Sequence, residues 1–166
     1  MGSLPPAHSD DDLMKMAIDE GCRGVHLGEG GPFGAVITQH GQVIARGHNR
    51  VLQTNDPTAH AEVVAIRDAC AKLGRFSLHD CVLYSSCEPC PMCFSAIHWA
   101  KIPTCFYSAT ADDAAKVGFD DRFLYDAIRG KPVEEKCRVL LLDHPHTHLP
   151  FQQYKRALEQ NKSSLY

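Results

Sequence analysis

The sequence has no surplus of positive charge. Seventeen Lys and Arg stand against 20 Asp and Glu, a formal net charge of -3 with an isoelectric point near 6.3. That balance provides no broad basic surface, which disfavours tight tracking of nucleic-acid phosphates, and no nucleic-acid partner is expected. Also missing is a basic start followed by an apolar run: Met1 to Asp12, MGSLPPAHSDDD, reads as a loose polar tail rather than a signal peptide or membrane anchor. Pro6 stands where a myristoylation signal wants Ser or Thr, and the final Ser164-Leu165-Tyr166 matches no address signal. No internal repeat or low-complexity tract is present. The expectation is a soluble cytoplasmic protein with no membrane partner. At 166 residues and 44% hydrophobic, the chain can bury one sizeable core, so a single domain over 1–166 is expected, with a loose tail over residues 1–10.

What the sequence does have is cysteine, eight in all. A disulfide framework belongs to small secreted chains, and this chain is long enough to do without staples. Several cysteines sit inside apolar runs, Cys81 in CVLYS and Cys105 in TCFYS, where cysteine behaves as a small hydrophobe. Three others crowd into SCEPCPMC, as Cys87, Cys90 and Cys93. With a fourth ligand they could close a structural zinc site; two of them, with one ligand from elsewhere, could hold a metal that keeps a position free for chemistry.

Apolar spacing predicts a first helix over residues 11–26 and a hairpin in FGAVITQHGQVIARGHN, turning at His40-Gly41. A helix follows over His60 to Leu73, stopped by Gly74, then a buried strand over Cys81 to Ser86, a helix over Pro91 to Ala100 and a strand in TCFYSA. Asp121 to Ile128 reads as helix, Cys137 to Leu142 as a fifth strand, and Pro150 to Gln160 as a last helix. The inferred architecture is α/β: five strands and about five helices, with a mixed sheet that is antiparallel at its hairpin, parallel beyond, and covered on both faces.

In SCEPCPMC, Pro89 forces Glu88 to be extended and Pro91 suits the first position of a helix, which makes Cys90 the N-cap and Cys93 the third helical residue. Both therefore converge on one helix end, where the dipole and unpaired N–H groups favour thiolate. Cys87 lies three residues back on an extended segment, roughly 10 Å away at about 3.3 Å per residue, and is expected to stay out of the site. A third ligand is available in TAHAEVVAI, where His60 and Glu62 flank the start of another helix and can both lean over its open end. Taken singly, such a His is more often a capping group and such a Glu a complement to the dipole. Together, His-x-Glu followed some thirty residues on by Pro-Cys-x-x-Cys is the signature of the zinc nucleobase deaminases, with His60, Cys90 and Cys93 as ligands to one Zn²⁺ and Glu62 as general acid and base. His144, His146 and His148 in DHPHTHLP are a second metal candidate, though two prolines and the lack of an acidic or sulfur partner suit a solvated loop.

At this point the chain resembles the guanine deaminases of the cytidine deaminase-like zinc superfamily, and slightly less the plant guanosine deaminases. The likeness runs from about residue 11 to 166 through GGPFGAV, NDPTAHAEV, SCEPCPMC, GFDD, PFQ and a terminal tyrosine. It implies a three-layer α/β/α fold with a five-stranded mixed sheet and hydrolysis of guanine to xanthine and ammonia at the carbon bearing the 2-amino group. It further implies that Asn49 hydrogen-bonds the purine, that Phe33 stacks on it and that the backbone N–H of Ala61 contacts it. Asp121 would accept protons or hydrogen bonds from the N1 and 2-amino edge, a choice with physical sense because guanine presents donors there and a carboxylate only accepts. In the relatives the C-terminal segment, here about 150–166, is swapped in a homodimer and its last tyrosine covers the neighbour's pocket, the role implied for Tyr166.

Plainer readings stand beside these: Phe33 as core, Asn49 as a turn residue, Asp121 as an N-cap. Trp99 in AIHWA reads as core at least as readily as substrate contact. The rival functions are a guanosine deaminase, a tRNA adenosine deaminase sharing the zinc signature, and a structural zinc module closed by Cys87, Cys90, Cys93 and His60.

Overall fold

The computed structural model describes residues 8–134, 137, 139–142 and 144–165. They fall into two units, one within Met1–Lys131 and one within Pro132–Tyr166. The first opens with α1 (Asp10–His26), whose start is a capping box: Ser9 accepts from Asp12 N while the Asp12 carboxylate accepts from Ser9 N. The hairpin strands β1 (Gly34–Gln39) and β2 (Gln42–His48) are joined by His40 and Gly41, at φ 50° and 76°. Two consecutive left-handed residues give the turn whose twist matches the flanking strands.

β1 also pairs antiparallel with β3 (Cys81–Cys87), which pairs parallel with β4 (Thr104–Ala109), for a strand order β2-β1-β3-β4. The short α2 (Val51–Thr54) and then α3 (Ala61–Leu73) lie between β2 and β3, and α4 (Pro91–Trp99) makes the crossover to β4. After β4 come α5 (Ala111–Lys116) and α6 (Arg122–Ile128); the second unit carries α7 (Leu149–Glu159).

The central strands β1 and β3 are buried on both faces, and their two-residue period sorts the core into two layers. Ala35 and Ile37 of β1 with Leu83 of β3 point to one side, against Ala61, Ala65 and Ala69 of α3 and Ile97 of α4. Val36 and Tyr84 point to the other, against Leu13 and Ala17 of α1. That is the expected three-layer arrangement. The small alanine face of α3 lets the helix sit close on the sheet, so close that a Cβ on Gly47 of β2 would stand 2.7 Å from the Ala61 carbonyl oxygen.

Two expectations need correction. The sheet has four strands, not five: among the described residues of 137–142 there is no strand, and Val139, Leu140, Leu141 and Leu142 are exposed. A lone strand has nothing to bond, and the second unit holds no other described strand to offer it an edge. The described residues also form seven helices rather than about five, α2 and α5 having been missed. α5 did carry a local signal, a capping box between Thr110 and Asp113.

Candidate active site

Two helix starts build the site. His60 is the N-cap of α3, at φ -69° and ψ 156°, and Cys90 the N-cap of α4, at φ -64° and ψ 167°. Neither caps its helix with its side chain. Both side chains are thereby free to point elsewhere, and the Ala61 N–H at the start of α3 is left for a ligand or solvent. Pro91 occupies N1 of α4 and Cys93 follows in its first turn, fully buried. The His60 Nδ1 stands 3.5 Å from both the Cys90 and the Cys93 sulfur, and the three donor atoms all lie within 4.8 Å of one another.

One imidazole nitrogen and two sulfurs are a donor set that suits zinc with one coordination position left over. The charge state fits as well. A hydrogen bond from Cys93, outweighing the cost of burial and helped by His60, holds the Cys90 thiol down at about 4, whereas the same Cys90 contact and burial push Cys93 up. A thiolate at Cys90 is what a divalent cation would need from its first sulfur ligand. Among the described residues this is the one His, Cys, Asp or Glu cluster with ligand geometry. At the other candidate, His144 Nδ1 accepts from His146 N at 3.2 Å and the rings merely tilt together. Cys87 is absent from the cluster: at the end of β3 its thiol donates to the Thr110 carbonyl at 3.6 Å.

Glu62 is 6% exposed, and its Oε1 accepts from Ser85 Oγ at 3.1 Å. Burial pushes its carboxyl above the usual range, so it holds a proton more readily than a surface glutamate. His60, Glu62 and Cys90 open onto a cavity of about 550 Å³ that Phe33, Asn49 and Asp121 also line. The side chain of Asp121, at the N-cap position of α6, makes no capping bond; Asp120 accepts from Arg122 N instead, leaving the Asp121 carboxylate to the cavity. Burial first, and the Cys90 sulfur next, push Asp121 upward.

Phe33 meets Phe119 edge to face at 5.0 Å between ring centres. Asn49 is 4% exposed, and its Oδ1 accepts from Gly31 N at 3.2 Å and Val51 N at 3.1 Å. Both partners are N–H groups, so the orientation of the amide is decided: oxygen to the loop, NH₂ outward as a donor. Tyr166 lies outside the described residues. Trp99 is neither core nor cavity lining; it stands 67% exposed at the end of α4. Sequence reasoning missed Ser85, Phe119 and Glu88, whose Oε2 accepts from Ala111 N at 3.0 Å at the cavity edge. Glu88 and Phe119 carried a signal, their places inside SCEPCPMC and GFDD; Ser85 carried none.

A family model described as the cytidine and deoxycytidylate deaminase zinc-binding region matches residues 7–109. The chain is similar to the guanine deaminase of Bacillus subtilis (strain 168), 51% identical over 149 residues, covering 87% of this chain and 93% of the relative. The X-ray structure of guanine deaminase from Bacillus subtilis superposes with a TM-score of 0.85 at 48% identity, over 90% of this chain and 95% of that one. A guanine deaminase structure from Nitrosomonas europaea follows at 30% identity and a TM-score of 0.65, over 77% of this chain and 69% of that one. The tRNA-specific adenosine deaminase of Aquifex aeolicus is 42% identical, but over only 58% of this chain and 64% of its own length.

Proposed function

The chain belongs to the cytidine and deoxycytidylate deaminase zinc-binding family, and within it we propose that it hydrolyses guanine to xanthine and ammonia. The observation that carries this reading is the opening of Glu62 and Asp121 onto the same cavity as the His60, Cys90 and Cys93 cluster. When bound there, zinc supplies Lewis acidity that makes a water nucleophilic near neutral pH. Glu62 takes one proton of the attacking water and gives it to a ring nitrogen, then takes the second from the hydroxyl left on the carbon and gives it to the departing amine, and its burial suits it to carrying each proton. Asp121 faces the N1 and 2-amino edge, Phe33 stacks on the ring, and the Asn49 NH₂ donates to a ring acceptor. The N–H of Ala61 adds a donor beside the metal cluster.

The cavity wall supports a neutral substrate over a polynucleotide. Four carboxylates line it, Glu62, Glu88, Asp120 and Asp121, with no Lys or Arg among the lining residues. That field repels phosphate, which weighs against tRNA. Guanosine is the second reading, since a cavity of about 550 Å³ is large for a bare purine.

The protein acts as a cytoplasmic homodimer in this reading. Among the described residues the outer edge of β4 has no strand beside it, Phe94, Trp99 and Tyr107 are exposed, and an exposed apolar run, Val139 to Leu142, is available to a second copy. Tyr166 then closes the neighbour's cavity. No helix among the described residues is long and apolar enough to cross a membrane.

Ammonia release by zinc-loaded protein on guanine, guanosine, adenosine and cytidine tests the proposal. Turnover of guanine supports it, turnover of guanosine alone moves the chain to the nucleoside reading, and silence on all four overturns both.

A further inference from the structure

Behind the wall that carries Phe33 and Asn49 lies His48, 1% exposed at the end of β2. Its Nδ1 meets Glu20 Oε2 of α1 at 3.1 Å and its Nε2 meets Glu29 Oε2 at 2.5 Å. A neutral imidazole has one N–H and one lone pair, whereas an ionised carboxylate only accepts, so satisfying both contacts needs an additional proton in the chain. Such a buried ionic chain is poor economy for stability alone, because apolar side chains of similar volume do as well or better. Its neighbours explain its presence.

Glu29 ties three segments together. Its Oε1 accepts from Gln53 Nε2 at 2.8 Å, and its carbonyl accepts from Leu52 N at 3.1 Å and Gln53 N at 3.0 Å. The loop after α1, the end of β2 and the short α2 are thus joined at one residue. Around it, Gly30, Gly31, Asn49 and Leu52 all line the cavity. Gly30 approaches Asn49 so closely that a Cβ there would stand 2.2 Å from Asn49 Oδ1, so any shift of the loop passes directly to the Asn49 amide. The loop sets Phe33 as well: Phe33 N donates to Gly31 O at 2.8 Å, and Phe33 O accepts from Asn49 N at 3.0 Å.

We infer that Glu29, seated on His48 and Glu20, is a positioning residue that holds Asn49 and Phe33 in register with a purine; this rests on the purine reading of the cavity. Glu29 touches no substrate. It acts by locking the loop, so its loss weakens substrate binding and leaves the chemistry at Glu62 in place.

The test is steady-state kinetics of the zinc-loaded full chain on guanine, with zinc content, melting temperature and the Kd for xanthine measured alongside. Glu29→Ala is expected to raise KM about tenfold with kcat changed less than about threefold, zinc retained and the xanthine Kd rising in step. Glu29→Gln keeps an acceptor for His48 and should recover part of the loss. Gln53→Ala removes an exposed partner of Glu29 and serves if Glu29→Ala does not fold; it should raise KM about two- to threefold. A lower melting temperature with unchanged KM in the folded variants, or equal falls in kcat and kcat/KM, overturns the inference. Failure of the unaltered protein to act on guanine overturns the purine reading, and this one with it.

Discussion

The Tyr125 hydroxyl donates to the Pro89 carbonyl across 2.9 Å, joining α6 to the turn that delivers Cys90. Asp121 stands at the start of the same helix, so this hydrogen bond ties the residue proposed to face the guanine edge to the turn that carries one of the cluster's sulfurs. Tyr125→Phe should cost about 0.5–1.5 kcal/mol in urea unfolding and raise KM for guanine, with zinc content unchanged. A variant with wild-type KM would mean that α6 is held by its other contacts.

Glu62→Gln keeps the shape of the side chain and its contact with Ser85 but removes the carboxylate. The expected result is a protein that retains its zinc and loses about 10²- to 10⁴-fold in kcat. Metal analysis and ammonia assays on the same preparation check both halves, and full activity would return the site to a structural role.

The three cysteines of SCEPCPMC should separate cleanly by substitution. Cys93→Ser and Cys90→Ser are expected to lose zinc, while Cys87→Ser, whose thiol donates to the Thr110 carbonyl and stands outside the cluster, keeps a full equivalent. Loss of metal from Cys87→Ser would indicate a site closed by a third sulfur.

Away from the site, Tyr84 donates to Asp10 Oδ1 at 2.6 Å, tying β3 to the start of α1. Burial and this contact push its hydroxyl up to about 12. With the folded value above the unfolded one near 10, the stability it contributes is whole below about pH 10 and is lost as pH rises through about 12. Tyr84→Phe should therefore be less stable than the unaltered protein at pH 8, by on the order of 1 kcal/mol, and the gap should be narrower at pH 11. Urea unfolding at both pH values checks it; a gap that persists would assign the contribution to packing alone.

Removal of zinc by a chelator should lower the melting temperature and bring it back on adding the metal, because the ligands come from the starts of α3 and α4 and the ion joins them.

Local patterns were legible because local forces make them. The His40-Gly41 turn, the Gly74 stop of α3, Cys90 as an N-cap before Pro91 and the two-residue period of β1 and β3 all follow from φ/ψ preferences and apolar spacing within a few residues. So does the exclusion of Cys87, which is a matter of chain reach. The chemical identity of the cluster was readable for a similar reason, since two of its ligands sit three residues apart and the third lies beside Glu62.

Other features have no local cause. The fifth strand expected over 137–142 has apolar residues that suit a strand, but a strand exists only where another edge accepts its hydrogen bonds. Which way the Asn49 amide points depends on N–H groups at Gly31 and Val51, and whether Asp121 caps α6 or faces the cavity depends on Asp120 taking the Arg122 N–H. The Glu20, His48 and Glu29 chain joins α1, a loop and β2 across 19 and 28 residues, spacings that no periodicity marks. The sequence by itself determined the hairpin turn, the helix ends that carry the site and the metal-binding chemistry, through short-range sterics and hydrogen bonding. Only the tertiary structure decided which buried polar groups meet, because those pairings are set by how the layers pack.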